Sequence, residues 1–247
     1  MENNFAANIT NEELAELPVC AFGGRIVVVD GAEATEEACK DLLSCVTIGF
    51  DTETRPTFRP GASNKVALLQ LSTPDVCYLF RLCKMPLTRP LIKVLENGGI
   101  IKIGADIKND IKALQELKHF IPKGFADLQS MVPSWGISDK SVRKMAGIIL
   151  QQRVSKAQRL SNWEASNLTP AQQMYAATDA WVCQRMYEIL MQTDKRPLVE
   201  NVVEQENTAP VVKKKRRRIR KKPVDSVCIG GGSVDGHVEI SEKPERK

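Results

Sequence analysis

Five short apolar runs, each bounded by turn residues, occupy the stretch from residue 25 to 105, and almost everything after them is helical in pattern. That order constrains the fold more than any other feature. "RIVVVD" (25–30), "VTIGFDTE" (46–53), "KVALLQLST" (65–73), "VCYLFRL" (76–82) and "IIKIGA" (100–105) read as strands, the third and fourth parted by the turn signal Pro74-Asp75. Between them, "AEATEEACKDLLSCV" carries Ala34, Ala38 and Leu42 at helical spacing, and "PLTRPLIKVLENGG" is a helix ended by Gly98 and Gly99. A helix is predicted from near Asp106, and from about residue 127 the pattern stays helical. It includes "KSVRKMAGIIL" and a long helix over 169–192 with Thr169 as N-cap and Pro170 at its first position. The expectation is an α/β layered sheet flanked by helices.

Composition sets the limits of the folded part. At 43% hydrophobic the 247-residue chain can fill a sizeable core. Arg196–Lys247 holds 13 basic and 8 acidic residues; subtracted from 35 and 30 for the whole chain, this leaves 22 of each sign in residues 1–195. The net charge of +5 thus belongs to the C-terminal segment, chiefly to "KKKRRRIRKK" (213–222). That segment has no apolar periodicity and is expected to be a disordered basic tail. The expected division is a loose lead-in over 1–20, one domain over 21–195 and the tail over 196–247. The seven cysteines show no C-x-x-C spacing, which argues against a disulfide framework or a zinc site and for a reducing compartment. No signal peptide and no membrane-length apolar run is read, so a soluble intracellular protein with no membrane partner is expected.

The second strand run ends in two acids, Asp51 and Glu53. Two apart on a strand, their side chains leave the same face. Carboxylates that close repel each other unless a cation lies between them, and hard Mg²⁺ or Mn²⁺ suits such oxygen ligands. The plainer reading is a strand end whose acids face water. After the fifth strand run come Asp106, suited to cap the new helix, and Asp110 one turn further on. On the last helix Tyr175 and Asp179 are four apart and share a face, among the small residues Ala176, Ala177 and Ala180. Asp127 in "FADLQSM" reads as a helix cap.

Taken in order, D-x-E on a strand, an Asp after a later strand and Y-x-x-x-D on a late helix resemble the DEDD superfamily of 3′–5′ exonucleases. The branch is the tyrosine-containing one, which includes ribonuclease D and the exonuclease domain of the Werner syndrome helicase. Supporting stretches are "FGGRI" (22–26), "GFDTE" (49–53), "KVALLQLS" (65–72), "IKIGADIKND" (101–110), "SKAQRLSNW" (155–163) and "YAATDAWV" (175–182). The resemblance covers roughly 22–192 and is closest to short stand-alone bacterial members. It implies a ribonuclease-H-like mixed sheet of about five strands flanked by helices.

It also implies that Asp51, Glu53, Asp110 and Asp179 hold two divalent ions, Mg²⁺ or Mn²⁺, with Tyr175 orienting or helping to deprotonate the attacking water. The implied partner is nucleic acid with a free 3′ end, single-stranded or frayed, DNA or RNA. The implied product is a nucleoside 5′-monophosphate. Arg55, Phe58 and Arg59 are candidates to meet bases, and Lys156 and Arg159 to meet phosphates; each is equally a solvated surface residue. The basic block, with Lys213, Lys214, Lys215, Arg216, Arg217 and Arg218, reads as a nonspecific nucleic-acid contact, a nuclear import signal or a solvated end. A bacterial-like chain places the protein in the cytoplasm; a eukaryotic source would make it nuclear. Two other readings are a noncatalytic nucleic-acid-binding module on the same fold and a protein whose acids only cap and solvate.

Overall fold

In the computed structural model, residues 5–57 and 64–198 are described. The strands are β1 (Arg25–Val29), β2 (Thr47–Thr54), β3 (Val66–Ser72), β4 (Val76–Phe80), β5 (Ile101–Gly104) and β6 (Phe125–Asp127). The helices are α1 (Asn11–Glu16), α2 (Ala32–Leu43), α3 (Arg89–Glu96), α4 (Ile107–Leu117), α5 (Leu128–Met131), α6 (Val142–Leu150) and α7 (Pro170–Met191). A 3₁₀ turn covers Val132–Trp135.

The strands form one mixed sheet in the order β1-β4-β3-β2-β5-β6. The β4-β3-β2 centre is antiparallel, while β1 joins β4, β5 joins β2 and β6 joins β5 in parallel. The antiparallel centre follows from short connections: Thr73, Pro74 and Asp75 turn β3 into β4, with Thr73 Oγ1 accepting from the Asp75 and Val76 amides. Parallel neighbours need longer crossovers, and α4 lies between the paired parallel strands β5 and β6 in the chain.

Strand alternation sorts side chains to two faces. Ile48 and Phe50 of β2 join Leu69 and Leu71 of β3 in a core shared with Leu42 of α2, Leu91 and Leu95 of α3, and Leu114 of α4. On the other face Leu68 and Leu79 pack with Ala176 and Ala177 of α7, and Ile103 packs with Met145 of α6 and Met186 of α7. Burial on both faces explains why β3 is buried at every position.

α7 begins where the sequence places it. The Thr169 side chain accepts from the Gln172 amide, and the Gln172 side chain accepts from the Thr169 amide, so two orphan helix-end donors are satisfied. The helix then crosses the sheet at very close range. A Cβ added to Gly49 would lie 2.0 Å from the Ala180 carbonyl oxygen. Ala176, Ala177 and Ala180 are fully buried, as a backbone-close contact requires.

Two expectations change. The sheet has six strands, not five: β6 is three residues long, too short for period-two alternation to register, and it opens the stretch read as helical. The lead-in is not loose throughout. α1 has a complete Thr10–Glu13 capping box and fully buries Leu14, and the chain after it pairs with a distant segment, Cys20 N–H donating to the Arg153 carbonyl at 2.8 Å. The tail from residue 199 on lies outside the described residues.

Candidate active site

Three elements deliver the acidic side chains. β2 presents Asp51 and Glu53 on the α7 side of the sheet, and α7 presents Tyr175 and Asp179 one turn apart. One carboxylate oxygen from each of Asp51, Glu53 and Asp179 lies within 4.8 Å of the other two. Asp110, on the first turn of α4, stands outside this tight group. Its carboxylate accepts from Thr52 Oγ1 at 2.5 Å, so it is oriented from the residue between the two β2 acids. It remains close enough for its charge to raise the proton affinities of both Asp51 and Glu53.

The electrostatics is that of crowded anions. Burial, and then the charges of Asp179, Glu53 and Asp110, push the Asp51 carboxyl well above the ordinary carboxylate range. Glu53 is pushed up to about 9, by burial first and by Asp179 and Asp110 next, against an opposing pull from Arg159. Asp179 rises to about 7 through burial, moderated by the Tyr175 hydroxyl. Burial and the same acids raise Tyr175 too, so its hydroxyl keeps its proton at neutral pH and acts as a hydrogen-bond donor.

Such a group of acids is a poor arrangement for a protein alone and a good one for a divalent cation. The donor set is all oxygen, which matches hard Mg²⁺, Mn²⁺ or Ca²⁺ and not a soft-ligand metal. The raised proton affinities say that more positive charge is wanted there than Arg159 supplies.

The pH dependence follows with a definite sign. These acids bind protons more tightly folded than unfolded, so they stabilise the fold at low pH and that contribution is lost as pH rises through about 7 for Asp179 and about 9 for Glu53. Ordinary carboxylates finish titrating below about pH 5.5, which isolates this window. In EDTA the melting temperature should fall by roughly 5–10 °C between about pH 5.5 and 8.5, and saturating Mg²⁺ or Mn²⁺ should restore most of it at the higher pH and little at the lower. Differential scanning calorimetry reads both; a flat EDTA profile would mean that the acids do not oppose one another.

A cavity of about 340 Å³ opens over the acids. Asp51, Glu53, Tyr175 and Asp179 line it together with Arg143, Lys156 and Arg159. Lys156 and Arg159, the candidates for phosphate contacts, thus share one cavity with the acids. Arg143 was not read from the sequence; it sits on the first turn of α6, fixed by Nε donating to the Val154 carbonyl at 3.2 Å. Trp163 supports Tyr175 from beneath, ring centroids 6.0 Å apart.

The remaining candidates fall elsewhere. Arg55 is exposed at the end of β2 and pairs with Glu164 at 3.4 Å, outside the cavity lining. Phe58, Arg59 and the basic block Lys213–Lys222 lie outside the described residues. Asp127 caps α5 as expected, accepting from the Gln129 amide. Asp106 does not cap α4 with its side chain. Its backbone takes a left-handed φ of 61°, and its N–H donates to the Asp127 carboxylate instead.

The profile of a family described as 3′–5′ exonuclease matches residues 26–193. The mouse bifunctional 3′–5′ exonuclease/ATP-dependent helicase WRN is 31% identical over 190 residues, covering 70% of this chain and 13% of that protein. Exonuclease 3′–5′ domain-containing protein 2 of Drosophila melanogaster is 35% identical over 150 residues, 58% of this chain and 25% of that one. The chain therefore spans a quarter or less of these two relatives. Among solved structures, the Aedes aegypti Nibbler EXO domain superposes with a TM-score of 0.61 at 22% identity over 69% of this chain and 91% of that one. Escherichia coli RNase D superposes with a TM-score of 0.62 at 21% identity over 68% and 44%. At those identities the two structures speak for a common fold.

Proposed function

This chain belongs to the 3′–5′ exonuclease family, and we propose that it is an active member, a metal-dependent hydrolase of the last phosphodiester bond at the 3′ end of single-stranded or frayed DNA or RNA. The observation that carries this is the meeting of Asp51, Glu53 and Asp179 within 4.8 Å on the floor of a cavity whose rim bears Arg143, Lys156 and Arg159. Acids that need a cation, beneath cations that suit phosphates, fit a phosphodiester substrate on both counts.

Asp51, Glu53, Asp110 and Asp179 would hold two divalent ions, Mg²⁺ or Mn²⁺, with Asp110 fixed for the purpose by Thr52. Ions bound there supply a water of lowered pKa and offset the charge that builds on the phosphate. Tyr175, protonated and braced by Trp163, donates to the water or to the phosphate oxygen and fixes the line of attack. Lys156 and Arg159 hold the strand's phosphates. Water oxygen bonds to phosphorus, the P–O3′ bond breaks, the departing 3′ oxygen takes up a proton, and a nucleoside 5′-monophosphate leaves.

The test is a 5′-labelled single strand, DNA and RNA in parallel, with Mg²⁺, Mn²⁺ or EDTA. A metal-dependent ladder shortening from the 3′ end is expected, and its absence with every metal and both polymers would sink the proposal.

The basic block is proposed as a nonspecific contact to the strand. Deleting residues 210–247 removes 12 basic residues. Binding should weaken and the slope of log affinity against log salt should flatten by several units, with turnover of a saturating short oligonucleotide unchanged. Collapse of that turnover would place the segment in the site itself.

A further inference from the structure

Gln70 lies in the middle of β3 with none of its surface exposed, and neither its amide nitrogen nor its amide oxygen has a hydrogen-bond partner. Buried polar groups in folded proteins are nearly always bonded, because a buried amide left unpaired is costly. Its place on the sheet says what it faces. Gln70 is the register partner of Asp51 on β2 and of Leu79 on β4. Directly opposed residues put their side chains on one face, with Cβ atoms about 4.5–5.5 Å apart. Gln70 therefore lies beside Asp51 on the α7 side of the sheet, the side on which Leu68, two residues before it, packs with Ala176 and Ala177. Burial pushes the Cys77 thiol up to about 12, with a further upward push from Asp51. Cys77 is on β4, so the Asp51 charge is felt across the strand that carries Gln70.

The four acids are not held alike. Asp110 accepts from Thr52 Oγ1, Asp179 accepts from the Tyr175 hydroxyl, and Glu53 is drawn by Arg159. Among the described residues Asp51 has the Thr52 backbone N–H as a donor and no side-chain donor. We propose that Gln70 is the positioning residue for Asp51: its amide N–H donates to one oxygen of the Asp51 carboxylate and leaves the other to a divalent ion. The inference rests on the reading of the acids as the metal site of an exonuclease, given above. Carboxylates that hold a metal are themselves held by hydrogen bonds, and the partner sets their orientation. A neutral donor suits this place. A Lys or Arg opposite Asp51 would neutralise it and compete with the divalent ion, whereas an amide orients the carboxylate and leaves its charge to the metal.

The test is Gln70→Met, an unbranched side chain that fills the space and carries no N–H. Titration calorimetry of Mn²⁺ on the full chain, the melting temperature in EDTA and turnover of the labelled strand are read together. Mn²⁺ should bind roughly 10- to 100-fold more weakly, the usual loss when the partner of a metal ligand is removed. The melting temperature in EDTA should be no lower than that of wild type, because an unpaired buried amide has gone. Turnover should fall at low Mn²⁺ and recover as Mn²⁺ is raised, with an unchanged KM for the strand, which a packing defect would not produce. Beside Asp51→Asn the same change should alter Mn²⁺ affinity by no more than about twofold, since the group it acts on is already lost. Should Gln70→Met melt below wild type, this coupling still decides. Mn²⁺ affinity equal to wild type, or a loss of full size beside Asp51→Asn, would overturn the inference and leave Gln70 a packing residue. A wild type that binds Mn²⁺ yet shortens no strand would end the exonuclease reading, while the Mn²⁺ affinities would still decide this one.

Discussion

Asp51→Asn should lower kcat by about 10³-fold or more and, in the same protein, raise the melting temperature in EDTA. The two effects have one cause. Asp51 is the acid on which the charges of Glu53, Asp110 and Asp179 all converge, so its carboxylate is costly to keep ionised. An amide of the same shape carries no charge and relieves that repulsion, a gain on the order of 1–2 kcal/mol at about pH 8, or a few degrees in a domain of this size. The amide also binds a divalent ion poorly, so the stabilisation by Mg²⁺ or Mn²⁺ should shrink as the activity disappears. A site that sacrifices stability for function shows this opposition, whereas a structural acid does not. Turnover on the labelled strand and calorimetry in EDTA and in Mg²⁺ give both readings. A variant that is inactive but less stable than wild type in EDTA would show that Asp51 holds the fold together, and the loss of activity would then say nothing of metal binding.

What the sequence made legible was whatever depends on short-range periodicity. D-x-E on a strand puts two acids on one face, Y-x-x-x-D on a helix stacks a phenol over an acid, and Thr169-Pro170 marks a helix start; each involves residues at most four apart. The resemblance joined these pieces into one set. Tertiary facts stayed out of reach. Nothing local says that Asp110 would be held by Thr52, 58 residues away, rather than within 4.8 Å of the other three acids. Arg55 looked free to meet a base, but Glu164, 109 residues on, engages it. Arg143 reaches the cavity only because α6 packs on α7 and the Val154 carbonyl fixes its side chain. The sixth strand was missed because three residues between Gly124 and α5 carry too few positions to show a period. Leu14, fully buried from a six-residue helix, shows the same limit: α1 is stable through what it packs on, and its capping box alone is too short a signal.

Gly49→Ala should be among the most damaging single-methyl changes in the molecule. The new Cβ would sit 2.0 Å from the Ala180 carbonyl oxygen and 2.6 Å from its carbonyl carbon, both backbone atoms that no rotamer change can move. Either β2 or α7 must shift, and each carries part of the acidic site: Asp51 lies two residues beyond Gly49, and Asp179 immediately precedes Ala180. Overpacking of this kind costs about 3 kcal/mol or more, which corresponds to roughly 6–12 °C here. The displacement also parts Asp179 from Asp51 and Glu53, and a shift near 1 Å at a reacting centre costs about 10²-fold in rate. Metal-induced stabilisation should fall with it, since the three oxygens no longer close on one ion. Gly23→Ala is the control, because nothing lies within 4 Å of a Cβ there. If the two variants melted alike and bound Mn²⁺ alike, the seat of α7 on β2 would be compliant, and the rigid mounting of the Asp51–Glu53 pair against Asp179 would have to be abandoned as the reason a glycine stands two residues before Asp51.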